Sequence, residues 1–128
     1  MTESKRRILV IDDEKSVAEG IALALTSDGY EVETVLSGED ALIRTVAARY
    51  DLIICDLMMP GLSGLDLLKS LREYRPYTPV LMITGYPTHR TAEESLKMGA
   101  CAYVTKPFTP ADIRKAAAKA LESPDAKP

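Results

Sequence analysis

The 128-residue sequence predicts an α/β domain: a five-stranded parallel sheet, doubly wound, with helices on both faces. Two observations carry this. Five short apolar, β-rich runs recur at Ile8–Ile11, Glu31–Val35, Leu52–Cys55, Val80–Thr84 and Ala102–Val104. Their starts lie 23, 21, 28 and 22 residues apart, and the segments between them repeat apolar residues at helical spacing. A strand-helix alternation of this length requires right-handed crossovers between parallel strands. The third run, Leu52–Cys55, is apolar without alternation, as expected of a strand covered on both faces.

Each intervening helix carries its own signals. Lys15 to Ser27 places Val17, Ala18, Ile21, Ala24 and Leu25 on one stripe, and Asp28–Gly29 stops it. The second helix opens at Ser37–Gly38–Glu39–Asp40 with Ser37 as N-cap; Ala41, Leu42, Thr45 and Ala48 follow on one face. The third runs from about Gly64 to Tyr74, with Leu65, Leu68 and Leu71 inward, until Pro76 and Pro79 end it. The fourth is expected from about Thr91 to Met98, stopping at Gly99; His89 then falls in an exposed loop before it. The fifth opens at Thr109–Pro110, a cap followed by proline at the first helical position. Its alanine-rich body, with Ala116, Ala117, Ala118 and Ala120, reaches about Leu121 as a close-packed helix. Residues 122–128, ESPDAKP, read as a flexible tail or the start of a linker, and residues 1–121 as one domain. The best architecture is the flavodoxin-like (βα)5 arrangement with strand order 2-1-3-4-5.

Composition narrows the function. Sixteen Lys+Arg against nineteen Asp+Glu give a net charge of −3, so the basic footprint of a nucleic-acid binder is missing. Aromatic residues make up 5% and there is no Trp, which argues against stacking platforms for single strands. No apolar run approaches the ~18 residues of a membrane helix. The segment MTESKRRILVIDD has an apolar run of four residues that ends in two aspartates, unlike a signal peptide, so the expected location is the cytoplasm. Cys55 and Cys101 are not in a CxxC spacing and lie in apolar segments; both are expected to be small buried core residues. No GxGxxG follows the first strand and no P-loop occurs.

The polar residues gather at strand ends. The first strand ends in Asp12–Asp13, the third in Asp56, the fourth in Thr84, and the fifth in Thr105–Lys106–Pro107. Ligands of open α/β sheets bind outside the carboxyl ends of the strands, where the strand order reverses. In the order 2-1-3-4-5 that point lies between strands 1 and 3, so the three aspartates should converge there. Clustered carboxylates repel one another, and a hard divalent cation relieves this; Mg²⁺ takes carboxylate oxygens and retains waters or phosphate oxygens. Lys106 is a point charge suited to a phosphoryl oxygen, and Thr84 offers a hydroxyl. Together these groups look like a phosphoryl-transfer site in which an aspartate can be the nucleophile. Singly, Asp12–Asp13 reads as a helix cap, Asp56 and Thr84–Gly85 as turns, and Lys106–Pro107 as a loop dipeptide. The set, one group at each of four strand ends, carries the reading.

The segments ILVIDDE (8–14), LIICDLMMPGLSGLDLL (52–68), VLMITGY (80–86) and KMGACAYVTKPF (97–108) resemble the receiver domain of two-component response regulators, from about Arg7 to Leu121. The resemblance implies that Asp56 is the phospho-acceptor, fed by a sensor histidine kinase or phosphotransfer protein. It implies that Asp13 and Asp56 bind Mg²⁺ directly, Asp12 through water, and Met58 through its backbone carbonyl. Thr84 would be the switch hydroxyl, Lys106 the phosphoryl-binding lysine and Tyr103 the switch aromatic. Pro107 would follow a cis peptide bond, and Pro60–Gly61 and Gly64 would form the tight loop after the third strand. Met58 and Tyr86 would flank the site as bulky groups. Phosphorylation would switch the helix 4–strand 5–helix 5 surface, which would act on a downstream effector domain or protein. Such a domain catalyses only its own phosphorylation and dephosphorylation.

Two other classes compete. A Mg²⁺-dependent phosphohydrolase working through an aspartyl phosphate would carry its nucleophile after the first strand in a DxDx[TV]-like run, and DDEKS does not match. A flavin carrier would need a Ser/Thr/Gly-rich phosphate loop there, and DDEKS is its electrostatic opposite.

Overall fold

The structure, a computed structural model, describes residues 5–85 and 89–122, with side chains described for 5–85 and 93–122. Tyr86, Pro87 and residues 123–128 lie outside these, and with them the expected roles of Tyr86 beside the site and of the tail.

Five strands alternate with five helices: β1 (Arg7–Ile11), α1 (Lys15–Thr26), β2 (Glu31–Val35), α2 (Gly38–Ala47), β3 (Leu52–Asp56), α3 (Gly64–Tyr74), β4 (Val80–Thr84), α4 (His89–Lys97), β5 (Ala102–Thr105) and α5 (Pro110–Leu121). The strands form one parallel sheet in the order β2-β1-β3-β4-β5. Because side chains alternate across a strand, the sheet splits its apolar residues between two cores. Leu9, Ile11, Ile53, Cys55, Val80 and Met82 pack with Ala41 of α2 and Leu67, Leu68 and Leu71 of α3. Ile8, Val10, Leu52, Ile54, Leu81 and Ile83 pack on the other side with Ala18, Ile21 and Leu25 of α1 and Ile113, Ala117 and Ala120 of α5. Every residue of β3 and β4 is buried, which accounts for their unbroken apolar runs.

The helix ends follow the expected chemistry. Ser37 caps α2 by accepting a hydrogen bond from Asp40 N–H, and Thr109 caps α5 in a capping box with Asp112, ahead of Pro110. Ser63 and Asp66 form a second capping box at α3. After α1 the chain turns at Gly29, whose φ of 92° is a left-handed conformation that glycine adopts without steric cost.

Three sequence expectations are corrected. Cys101 is exposed, not core, because it precedes the edge strand β5 rather than facing a core; Cys55 is buried as expected. Leu65 is only half-buried, and Leu67 is the fully buried partner of Leu68 and Leu71. α4 begins at His89 and ends at Lys97, so His89 belongs to the helix rather than to a preceding loop. Asp56 and Thr105 are the last residues of β3 and β5, at the strand ends where the sequence places them.

Candidate functional site

The carboxyl ends of β1, β3 and β5 bring the predicted polar groups together. Asp12 follows β1 and Asp56 ends β3; both are buried, at 1% and 4% exposure. Asp13 is exposed beside them. Each of these three carboxylates offers an oxygen within 4.8 Å of the others. Lys106 reaches over from the end of β5. Its Nζ lies 3.2 Å from Asp12 Oδ2, 3.4 Å from Asp56 Oδ2 and 3.5 Å from Glu14 Oε1.

The local backbone explains these positions. Asp12 Oδ1 accepts a hydrogen bond from Glu14 N–H at 2.9 Å, which turns the chain from β1 into α1. Glu14, not an aspartate, stands at the N-cap of α1, and its side chain makes no capping bond. Leu57 N–H donates to Ile83 O, and Met58 N–H donates to Asp56 Oδ1 at 3.3 Å, so the loop after β3 folds back over its own last carboxylate. Gly64 makes that loop tight. A Cβ there would sit 2.5 Å from Asp56 O and 2.8 Å from Leu57 Cα, both backbone atoms rather than the end of a flexible side chain. Lys106 N–H donates to Thr84 O at 2.8 Å, and the Lys106–Pro107 peptide bond is cis, as the sequence led us to expect.

The electrostatics are those of a crowded anionic pocket. Burial, followed by the neighbouring Asp12 charge, pushes Asp56 up to about 6; Lys106 and the Met58 N–H oppose this only in part. Burial alone would lower Lys106, but the Asp56 and Asp12 carboxylates outweigh it and hold the ammonium above its usual value. Asp12 Oδ2 is buried and makes no hydrogen bond of good geometry, although Lys106 lies in ion-pair range. A buried, incompletely satisfied carboxylate oxygen facing two other carboxylates has room for one more electrophile. The donors are all hard oxygens, which suit Mg²⁺ or Ca²⁺ rather than a soft metal. Cys55 is no competitor, since its buried thiol donates to Asp56 O and burial holds it protonated.

Thr84 ends β4 fully buried, next to Asp56 in the sheet: Asp56 pairs with Ile83, and Thr84 pairs with Thr105. Tyr103 pairs with Met82 on β5 and is 40% exposed. Met58 turns its side chain outward at 58% exposure, while its backbone N–H stays on Asp56 Oδ1.

The site opens into a cavity of about 770 Å³ that extends past the acidic cluster. Val17, Gly20 and Ile21 of α1 and Phe108 and Pro110 before and within α5 line its apolar side; Asp13, Asp56 and Lys106 line its polar side, and Met58 also stands in its wall. Sequence reasoning missed Glu14 and this apolar extension. Glu14 adjoins Asp12–Asp13, so the run of three acidic residues was a usable signal. The apolar wall joins residues about ninety positions apart and has no local signature.

Known proteins agree with this geometry. Residues 8–118 match the family model described as the response regulator receiver domain. The chain is 40% identical over 102 residues to the transcriptional regulatory protein DltR of Streptococcus agalactiae, covering 80% of this chain and 46% of that protein. It is 37% identical over 108 residues to the alkaline phosphatase synthesis transcriptional regulatory protein PhoP of Bacillus subtilis, covering 84% and 45%. The chain thus spans less than half the length of these relatives. Among solved structures, the CheY-like response regulator receiver domain protein from Methanospirillum hungatei superposes with a TM-score of 0.89 at 30% identity, covering 93% of this chain and 95% of that one. The chemotaxis response regulator CheY4 of Vibrio cholerae gives a TM-score of 0.86 at 32% identity, covering 91% and 99%. These matches do not favour the phosphohydrolase reading. No described helix is long and apolar enough to cross a membrane. By its family match, its sheet order and its relatives, the chain belongs to the receiver domains of two-component response regulators.

Proposed function

We propose that Asp56 accepts a phosphoryl group from a sensor histidine kinase or phosphotransfer protein and that this switches a protein-interaction surface. The observation that carries the reading is the convergence of Asp12, Asp13, Asp56 and Lys106 at the carboxyl ends of three strands. An Asp56 carboxylate oxygen attacks phosphorus as the bond from phosphorus to the donor imidazole breaks. Asp12, Asp13, Asp56 and the Met58 carbonyl are the groups that would hold Mg²⁺. When bound, Mg²⁺ supplies positive charge against the phosphoryl oxygens. Lys106 leaves its ion pair with Asp56 to pair with a phosphoryl oxygen, a short move for a flexible ammonium. Thr84 donates its hydroxyl to another.

Met82 and Thr84 point to the same side of the sheet, and Tyr103 stands in register with Met82 on that side. A shift of Thr84 toward the phosphoryl group opens space that the Tyr103 ring fills by changing rotamer. The α4–β5–α5 surface then presents a different face to a downstream effector domain or protein. In this reading residues 1–121 form the receiver domain, 122–128 start a tail or linker, and the domain catalyses only its own phosphorylation and dephosphorylation, in the cytoplasm.

Incubation with acetyl phosphate tests the reading. Intact mass should show one added phosphoryl group in Mg²⁺ and none in excess EDTA. Equal uptake in both would contradict the assigned metal site, and no uptake in either would overturn the function.

A further inference from the structure

The described methionines differ sharply in exposure. Met58 is 58% exposed, Met59 is 8% and Met82 is 0% exposed, and Met98 is half-buried. Met58 also sits on the rim of the cavity that holds Asp56 and Lys106. Its backbone N–H donates to Asp56 Oδ1 at 3.3 Å, which keeps residue 58 beside the acceptor. Of the two thiols, Cys55 is buried and Cys101 is exposed, so Cys101 also meets an oxidant, but it precedes β5 and does not line that cavity. A thioether needs no ionisation to react.

We propose that Met58 is an oxidation site whose sulfoxide shortens the lifetime of the phosphoryl group on Asp56. The proposal rests on the function read above. With hydrogen peroxide as oxidant, the Met58 sulfur gives an electron pair to one peroxide oxygen, the O–O bond breaks, and sulfoxide and water form. Hydrolysis of an aspartyl phosphate requires a water in line behind phosphorus. Its oxygen bonds to phosphorus as the bond to Asp56 breaks, which regenerates the carboxylate and releases inorganic phosphate. That water enters through the cavity. A thioether on the rim accepts hydrogen bonds weakly and keeps the approach apolar. A sulfoxide on the same stem is polar and holds water there. The change is reversible by methionine sulfoxide reductases.

The test treats the whole chain with dilute hydrogen peroxide and reads oxidation at each methionine by peptide fragmentation. Met58 should gain one oxygen before Met59, Met82 and Met98. Phosphoryl loss from acetyl-phosphate-loaded protein should then be about threefold faster than before treatment, and methionine sulfoxide reductase should restore the original rate. In Met58→Leu, peroxide should leave that variant's own rate unmoved, and untreated Met58→Gln should lose phosphate as fast as oxidised wild type. Oxidation of Met58 no faster than of the buried methionines, or an unchanged lifetime after its oxidation, overturns this inference alone. If the unoxidised chain takes up no phosphoryl group, the function read above fails and this inference falls with it.

Discussion

Lys106 Nζ lies 3.4 Å from Asp56 Oδ2 although the two residues come from strands that are not neighbours; β4 runs between them. The lysine therefore reaches across the sheet end and offsets a carboxylate that burial and Asp12 otherwise disfavour. The offset is incomplete, and the ionised acceptor is a source of strain in the metal-free fold.

That imbalance sets a pH dependence. Asp56 moves from an ordinary 3.8 to about 6 in the folded state, so folding takes up a proton there between these values. Its stabilising contribution is fully present below about pH 4 and is lost as pH rises through 6. Asp56→Asn is uncharged throughout. Without divalent metal it should be more stable than wild type at pH 7, by on the order of 2 kcal/mol, and should lack this part of the slope between pH 4 and 6. Urea denaturation across that range checks it. Equal stability and an identical slope in both proteins would contradict it.

Gly64 should tolerate no side chain. Its Cβ would meet backbone at 2.5 and 2.8 Å, so either α3 or the end of β3 must shift. Gly64→Ala should destabilise the fold by about 1–3 kcal/mol and weaken Mg²⁺ binding, because the displaced atoms adjoin Asp56. Gly20→Ala is the control, since a Cβ there meets nothing within 4 Å. An unchanged denaturation midpoint in Gly64→Ala would show the loop to be looser than described.

Most of the fold was legible because two periodicities coincide with the burial. The unbroken runs of β3 and β4 lie under helices on both faces, and the alternate faces of β1, β3 and β4 feed two separate cores. The site was legible because four strand ends carry polar groups in an otherwise apolar pattern. Cys101 was misread since an apolar neighbourhood in sequence does not reveal that β5 is a sheet edge. Leu65 and Leu67 are two residues apart on one helix, and only the angle at which α3 lies on the sheet decides which is buried. The network that links Arg7, Glu33, Tyr50 and Arg44 was not legible at all. It joins four elements or loops, and it holds Glu33 below the usual carboxylate range because the Arg7 and Tyr50 hydrogen bonds outweigh burial.

Thr84→Ala should separate phosphorylation from its consequence. The variant should still accept a phosphoryl group at Asp56, yet lose most of the coupling to Tyr103. Amide NMR with and without beryllofluoride, a phosphoryl mimic, reads this directly. Wild type should show large shifts around Ala102–Val104, and Thr84→Ala should show small ones. Equal large shifts in both would break the proposed Thr84–Tyr103 route. The Gly85 and His89 amides should shift in wild type as well.

The central claim is that Asp56, among three adjacent aspartates, is the acceptor. Borohydride reduction of the acetyl-phosphate-treated chain converts an aspartyl phosphate to homoserine, which peptide fragmentation locates to a single residue. The account predicts homoserine in place of Asp56 alone, and none in Asp56→Asn. Homoserine in place of Asp12 or Asp13 in the wild-type chain would contradict it.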